Sequence, residues 1–371
     1  MQLIYLSPVA WDSFAQRPHK FVEWFHQSKR GRVLWVEPYP TRFPSISDVK
    51  RKRDAKLAKL DDLPEWLEIL RPSSLPIEPL PGSEVINKRF WNPLLSTMRE
   101  FSREDETILA IGKPSRLALI AIKQLHHVDS MYDAMDDFPA FYRGLSRVSM
   151  RATEERLVES VGHLVVSSTL LAKRWSSVRP DLQLVRNGLD PDALPPVLPK
   201  GKRNETNILG YLGTIGAWFD WDWLVNLAEN RPGDSIRLIG PIFTPSPRPL
   251  PSNVEIRPPL GHQAALLAMQ EFDVGLIPFK RTALTASVDP IKYYEYRSLG
   301  LPVVSTDFGE MSYRGGEGGV FLSKALGDAP FLIERALAST AISECAQGFK
   351  EANSWTARFS DLRLFDFHPL P

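Results

Sequence analysis

The sequence predicts an α/β protein built from two Rossmann-like domains in tandem, and three observations support this fold class. A chain of 371 residues is too long for one ordinary core, which suggests two domains. Short apolar runs alternate with helical patterns from the start, at residues 3–7, 21–29 and 32–36, as in a βαβ unit of a parallel sheet. The same rhythm starts again at Ile208, after a Pro-rich polar stretch.

The first domain is predicted to cover residues 1–188. After the opening βαβ unit, strands are predicted at residues 67–70, 107–111, 130–132, 164–167 and 183–185, and helices at residues 91–101, 116–124 and 152–161. Residues 189–207 combine prolines with basic and small residues and show no helical periodicity. We therefore predict that they form a linker.

The second domain is predicted to cover residues 208–345. Its predicted strands lie at residues 208–212, 235–239, 254–256, 274–278 and 303–306, and its helices at residues 224–229, 263–270 and 292–299. The remaining residues, 346–371, include large apolar side chains at helical spacing, which predicts a C-terminal helix.

Composition and charge exclude several classes of protein. The chain has 45 basic and 44 acidic residues, and a formal net charge of +1 gives no overall attraction to nucleic acid. The single cysteine, Cys345, allows no intramolecular disulfide and no cysteine-based zinc site, which fits a reducing cytoplasm. The N-terminus lacks the basic start of a signal peptide, and no apolar run approaches the roughly 20 residues that span a bilayer. We therefore predict a cytoplasmic protein.

One local exception to the even charge is a basic segment formed by Lys50, Arg51, Lys52, Arg53, Lys56 and Lys59. The segment from Lys50 to Lys59 is predicted to contact anionic lipid at the inner face of the cytoplasmic membrane, with each cation contributing about 1 kcal/mol. A solvated loop is the alternative, because Asp54, Asp61 and Asp62 dilute the charge. No aromatic platform or base-reading motif accompanies the segment, so nucleic acid is not a predicted partner.

A glycine-bearing turn follows the first strand of the second domain, at Gly213, Thr214 and Ile215. Where such a turn lacks side chains, backbone N–H groups approach phosphate oxygens just before a helix begins. These three residues are therefore predicted to bind a phosphate group, and an ordinary tight turn is the alternative.

The strongest motif for chemistry is DPIKYYE at residues 289–295. Its proline starts a helix, Lys292 lies in the first turn and Glu295 lies one turn farther along. The lysine and the helix N-terminus together suit a diphosphate, and Glu295 suits two ribose hydroxyls. Asp289, Lys292, Tyr293 and Glu295 are thus predicted donor-binding residues. The alternative is a surface ion pair between Lys292 and Glu295.

These motifs, together with RNGLD at residues 186–190 and VGLIP at residues 274–278, resemble the ordered landmarks of bacterial glycosyltransferases in or near family 4. The resemblance covers nearly the whole chain. It implies the GT-B fold, in which two Rossmann-like domains face each other across a cleft and the C-terminal helix, residues 346–371, returns to the N-terminal domain. It also implies a hexosyltransferase that takes a nucleotide-diphosphate sugar, such as a UDP-sugar, as its donor.

The segments at residues 11–19, 35–40 and 132–137 resemble members of that group that build teichuronic-acid, exopolysaccharide or O-antigen (lipopolysaccharide) chains. This resemblance implies a glycan acceptor, often lipid-linked. Family members usually carry two glutamates in the donor segment, whereas this chain has Ser287 at the first position and only Glu295 at the second. The segment also resembles that of the inverting xanthan glucuronosyltransferase, which uses an N-domain aspartate as base. Retention and inversion both stay open.

Three aspartates, Asp133, Asp136 and Asp137, end the predicted strand at residues 130–132. An inverting transfer needs a general base, and a carboxylate at the carboxyl end of a strand suits that role. We favour Asp136, because Asp133 still belongs to the strand and Asp137 resembles a helix cap. For each of them, capping or turn formation is the alternative.

The loop at residues 11–19 follows the first strand at its carboxyl edge, where doubly wound sheets bind ligands. Trp11, Arg17 and His19 are predicted to contact the acceptor there. Arg17 suits an acceptor phosphate, and His19 is either a hydrogen-bond donor or a second candidate base. A structural histidine is the alternative.

No Asp-x-Asp constellation joins a nucleotide-binding strand, so neither a metal nor another cofactor is predicted; Lys292 and helix dipoles meet the diphosphate charge instead. Two other functions fit the same motifs. One is a nucleotide-sugar epimerase or hydrolase on the same fold, and the other is a non-catalytic nucleotide-sugar-binding protein.

Overall fold

The computed structural model of the chain describes residues 1–43, 63–197, 206–339 and 342–365, without the side chains of 342–345 and 365. These residues form two compact units. The first unit comprises Met1–Val185 with the chain from Phe359 onward, and the second comprises Arg186–Arg358. The predicted membrane segment from Lys50 to Lys59 and part of the predicted linker lie outside the described residues.

The first unit contains a parallel sheet with seven described strands. They are β1 (Gln2–Leu6), β2 (Val33–Val36), β3 (Leu67–Leu70), β4 (Thr107–Ile111), β5 (Asp129–Ala134), β6 (His163–Val166) and β7 (Gln183–Leu184), in the order β3-β2-β1-β4-β5-β6-β7. Every residue of β1, β2 and β4 is buried, as expected for parallel strands covered on both faces.

The helices described in the first unit are α1 (Arg17–Lys29), α2 (Ser83–Glu104), α3 (Arg116–Gln124), α4 (Gly144–Ser160) and α5 (Thr169–Trp175). Trp91 and Met98 of α2 join one core cluster with Ile4 and Leu34 of the sheet. Burial of each such large apolar side chain contributes about 1.5–3 kcal/mol. This core fixes the carboxyl edge of the sheet, where the loops after β1 and β5 emerge.

The second unit contains a parallel sheet with six described strands. They are β8 (Ile208–Leu212), β9 (Ser235–Ile239), β10 (Val254–Arg257), β11 (Val274–Ile277), β12 (Val303–Thr306) and β13 (Val320–Ser323), in the order β10-β9-β8-β11-β12-β13. Its described helices include α6 (Trp221–Asn230), α7 (His262–Ala268), α8 (Ile291–Ser298) and α9 (Ala329–Ala338). The strand order reverses between β8 and β11, which makes their carboxyl ends the topological switch point.

The C-terminal region forms two helices, α10 (Ile342–Ala352) and α11 (Trp355–Ser360), where one had been predicted. Residues up to Arg358 belong to the second unit, and the Trp355 amide donates to the Leu189 carbonyl at 2.9 Å. Phe359 belongs to the first unit, where its ring lies 5.4 Å from that of Phe21.

Candidate functional site

Two glycines lie side by side at the switch point of the second sheet. Gly213 follows β8 with φ +138°, and Gly240 follows β9 with φ +139°. A Cβ atom at Gly240 would lie 2.3 Å from the Gly213 carbonyl oxygen. Both positions therefore require glycine, and the two turns meet backbone to backbone at the edge where a ligand of such a sheet binds.

Lys292 lies directly against Gly213. A Cβ atom at Gly213 would lie 2.4 Å from the Lys292 Nζ atom, which is also 5.5 Å from the centre of the Tyr211 ring. Within the described residues this ammonium has no hydrogen-bond or ion-pair partner. Burial lowers the pKa of Lys292, whereas the charge of Glu295 raises it. A half-buried cation without a hydrogen-bond or ion-pair partner, in the first turn of α8, suits an anionic ligand such as a diphosphate.

Glu295 lies one turn farther along α8 and is partly exposed. Burial raises the pKa of its carboxyl, and the nearby positive charge of Lys292 lowers it. No ion pair joins Glu295 to Lys292 in the described structure, so the predicted alternative of a surface pair is not observed. The carboxylate oxygens remain available to accept hydrogen bonds from ligand hydroxyls.

In the turn after Gly213, Thr214 has free hydrogen-bond donors, whereas Ile215 is buried and hydrogen-bonded. The Thr214 carbonyl accepts a hydrogen bond from the Tyr211 hydroxyl at 2.8 Å, while its own amide and side-chain hydroxyl have no partner among the described residues. Ile215 is fully buried, and its amide donates to the Pro241 carbonyl at 2.9 Å. Thr214 can therefore donate to a phosphate, whereas Ile215 holds the turn in place.

Asp289 has a structural environment, unlike its predicted role as a donor contact. Its carboxylate accepts hydrogen bonds from Arg314 at 2.6 Å, from the Tyr294 hydroxyl at 2.8 Å and from the Asn187 amide at 2.8 Å. The side chain has no exposed surface. Asp289 thus fixes the start of α8, and through it the position of Lys292.

The Tyr293 side chain also makes its contacts within the protein. Its hydroxyl donates to Glu317, and the Arg314 guanidinium lies 3.8 Å from the centre of its ring. Arg314 was absent from the predicted site because it lies 25 residues beyond Asp289, so no local spacing links them. Similarly, Arg186 pairs with buried Glu310 at 2.6 Å.

The three candidate aspartates of the first unit differ in their partners. Asp133 is held by Arg17, whose Nε and Nη2 donate to its two oxygens at 2.8 Å each, and both side chains are almost fully buried. Arg17 also donates to the Val185 carbonyl at 2.8 Å. The predicted acceptor-phosphate contact of Arg17 is thus replaced by a buried ion pair, and Asp133 is not free to act as a base.

Asp137 is paired as well. Its carboxylate accepts from Arg174 at 2.7 Å, and Arg174 also reaches Glu154 at 3.1 Å. Asp137 precedes the 3-10 helix Phe138–Phe141, as the cap interpretation requires, but its side chain makes no capping hydrogen bond. The ion pair explains its position instead.

Asp136 is the aspartate without a partner. In the part of the chain that the structure describes, its carboxylate has no hydrogen bond or ion pair, although the residue keeps some exposed surface. Burial raises the pKa of Asp136 to about 7; Arg17 opposes the shift, and Asp133 and Asp137 add to it. A general base works best when its pKa lies near the working pH, so Asp136 has the environment of one.

His19 has a structural environment. Its Nδ1 accepts from the Gln16 amide at 3.2 Å, its Nε2 lies 3.1 Å from the Trp11 carbonyl, and the residue is 3% exposed. Burial lowers the pKa of His19, which favours the neutral ring. Both ring nitrogens are engaged because α1 begins at Arg17, not at the predicted residue 21. Trp11 packs against His19 and Trp35.

A small, shallow pocket lies at the carboxyl ends of β1, β2 and β4 in the first unit. Ser7, Glu37, Thr41 and Lys113 contribute polar groups to its lining. The strand order reverses between β1 and β4, so the pocket lies at the switch point of this sheet. The sequence pattern did not identify it, because its lining comes from three separate loops.

Comparison with known proteins supports the architecture. No family model matches the chain. It is 23% identical over 198 residues to TuaH of Bacillus subtilis (strain 168), described as a teichuronic acid biosynthesis glycosyltransferase, and the match covers 48% of the chain and 50% of TuaH. The chain thus spans about half the length of this curated relative.

Solved structures match almost the whole chain. Sucrose-phosphate synthase from Thermosynechococcus elongatus aligns with a TM-score of 0.68 and 14% identity over 96% of both chains. The E. coli trehalose-6-phosphate structure bound with UDP-2-fluoro glucose aligns with a TM-score of 0.60 and 11% identity over 97% of this chain and 98% of that chain. The chain has the GT-B fold.

Among the residues that the structure places, no group of three His, Cys, Asp or Glu side chains is arranged to hold a metal ion. No helix in the same ranges is long and apolar enough to cross a membrane.

Proposed function

We propose that this chain is a glycosyltransferase that moves a sugar from a nucleotide-diphosphate donor to a hydroxyl group of a glycan acceptor. The observation that carries the proposal is the Lys292 ammonium, which lies against Gly213 at the switch point without a hydrogen-bond or ion-pair partner among the described residues. The partial match to TuaH and the structural likeness to a UDP-2-fluoro glucose complex support the same reaction class.

The second unit supplies the donor contacts in this proposal. Lys292, the Thr214 amide and the N-terminus of α8 hold the diphosphate, and Glu295 accepts hydrogen bonds from the ribose hydroxyls. Negative charge grows on the diphosphate as its bond to the sugar breaks. The Lys292 ammonium stabilises that charge, because it is partly shielded from water. These contacts need no metal ion.

The first unit supplies the acceptor contacts. Asp136 takes the proton of the acceptor hydroxyl as its oxygen attacks the anomeric carbon and the diphosphate leaves from the opposite side. One base and one displacement invert the configuration of that carbon, which agrees with Ser287 standing in the first glutamate position. The carboxyl edge of the first sheet around Lys113 and Thr41 is the proposed contact surface for the rest of the acceptor.

We further propose a lipid-linked glycan acceptor in cell-surface polysaccharide synthesis. This finer statement is supported by the resemblance of residues 11–19, 35–40 and 132–137 to enzymes of that kind and by the partial match to TuaH.

Calorimetric titration with UDP, GDP and dTDP tests the donor site. We expect one of them to bind with a micromolar Kd, and Lys292→Ala to weaken it by about 100-fold, the cost of losing a charge-assisted contact. Lys324→Ala removes an exposed lysine from the same unit and is the matched control. If the wild-type chain binds none of these nucleotides, the proposal is wrong.

Incubation with the donor alone separates the competing functions. A glycosyltransferase releases sugar slowly until an acceptor is added. Fast formation of an epimer or of free sugar would instead identify an epimerase or a hydrolase, and tight binding without turnover under any condition would identify a binding protein.

A further inference from the structure

The exposed side of α4 carries apolar side chains that the first unit does not cover. Phe141 is 54% exposed, and Leu145 and Val148 are each 66% exposed. Leu145 and Val148 lie three residues apart on α4, so they share one side of the helix, and Phe141 ends the 3-10 helix just before it. We call these three residues the α4 patch.

The buried side of the same helix mixes polar and apolar residues. Its buried residues are Ser146, Met150, Thr153, Glu154, Leu157 and Val158, of which three are polar. A surface helix of a globular protein normally keeps its large apolar side chains on the side that faces the core, whereas Leu145 and Val148 lie outside that side. Packing within the unit therefore does not explain the apolar residues of the α4 patch.

Arginines surround the patch. Arg143, Arg147 and Arg151 are exposed, and in the described part of the chain their side chains make no hydrogen bond or ion pair. The exposed acids of this helix, Glu155 and Glu159, lie in its second half. The patch therefore combines exposed apolar surface with a local excess of positive charge.

We propose that the α4 patch docks on an anionic phospholipid bilayer. Phe141, Leu145 and Val148 enter the boundary between headgroups and acyl chains, and the three arginines bind lipid phosphates. A symmetric dimer through this surface is disfavoured, because an isologous interface would place the same arginines against each other. The α4 patch is distinct from the segment Lys50 to Lys59, and this inference does not require the proposed reaction.

Co-sedimentation of the full chain with vesicles tests the inference. We expect binding to phosphatidylcholine vesicles that contain about one third phosphatidylglycerol, and at least about tenfold weaker binding to pure phosphatidylcholine. Arg147→Ala with Arg151→Ala should lower the partition coefficient by about thirtyfold at low salt. Phe141→Ser with Leu145→Ser should lower it by about tenfold.

Two controls match these variants. Arg103→Ala with Lys123→Ala removes two exposed charges from the same unit, and Phe331→Ser removes an apolar side chain that is 61% exposed in the second unit. Both should bind vesicles like the wild type, and circular dichroism should show that all variants fold. Equal binding by the patch variants and the wild type would overturn the proposal. So would a dimer, detected by ultracentrifugation, that is lost in Phe141→Ser with Leu145→Ser while vesicles bind neither form.

Discussion

Charged residues cluster in the loop after β5 in the first unit and at the start of α8 in the second unit. In each region some of these residues form ion pairs and others do not. In the first, arginines hold Asp133 and Asp137 and leave Asp136 unpaired. In the second, Arg314 holds Asp289, while Lys292 and Glu295 have no described partner. In both regions the paired carboxylates fix the backbone, and the unpaired groups are the candidates for chemistry.

The two regions differ in what their unpaired groups can do. Asp136 is a single carboxylate whose pKa is raised to about 7 by burial, so it can exchange a proton near neutral pH. Lys292 and Glu295 carry opposite charges that do not meet in an ion pair, which suits the binding of a phosphate and of hydroxyls. Changes in the first region should therefore affect kcat, and changes in the second should affect donor affinity.

The largest effect is expected for Asp136→Asn. Removal of the proposed base should lower kcat by about 1,000-fold and leave the Kd of the nucleotide diphosphate unchanged, because the proposed donor contacts all lie in the second unit. Steady-state kinetics and calorimetry measure the two quantities. Asp12→Asn makes the same chemical change at an exposed position of the same unit and should leave both unchanged. Full activity in Asp136→Asn would remove this residue from the mechanism.

The raised pKa of Asp136 predicts a pH dependence. The base must be ionised, so kcat should rise about tenfold between pH 6 and pH 8 and then level off.

The stability of the fold should follow the opposite trend. Because the folded pKa lies above the unfolded value, the protonated form is stabilised at low pH, and that stabilisation is lost as the pH rises from about 4 through about 7. Urea unfolding of Asp136→Asn should therefore show a gain over the wild type at pH 8 and none at pH 4.

Glu295→Gln tests the binding region at a smaller scale. Loss of the carboxylate charge should weaken the binding of UDP by about tenfold. The binding of 2′-deoxy-UDP should weaken less, because that ligand offers one hydroxyl fewer. The comparison of both ligands with both proteins forms a double-mutant cycle. Glu229→Gln is the exposed control in the same unit. An equal loss for the two ligands would mean that Glu295 does not contact the ribose.

The sequence predicted elements where the pattern is local, and it failed where the pairing is distant. The predicted bounds of α3, β8, β9 and β12 agree with the structure residue for residue, because apolar runs and their flanking turns are encoded side by side. The elements α5, β13 and α9 were not predicted.

Within the site, the preference for Asp136 followed from its position just beyond the strand, which is a local property. The Arg17–Asp133 pair joins residues 116 positions apart, so no spacing pattern indicated that their side chains would form an ion pair. Gly213 and Lys292 were each predicted from their own motif, but their direct contact depends on the order of β8 and β11 in the sheet. The choice between paired and unpaired residues is therefore made by tertiary packing.

The smallest expected effect is that of Asp137→Asn, and it tests whether paired carboxylates are only structural. Arg174 loses one partner but keeps Glu154 at 3.1 Å, and the Arg174–Asp137 pair is partly exposed. We therefore expect the free energy of unfolding to fall by about 1 kcal/mol or less, and kcat to stay within about twofold of the wild type. Urea unfolding and the transferase assay measure these two quantities on the same preparation. A loss of kcat as large as that of Asp136→Asn, with unchanged stability, would show that the base is shared within the loop.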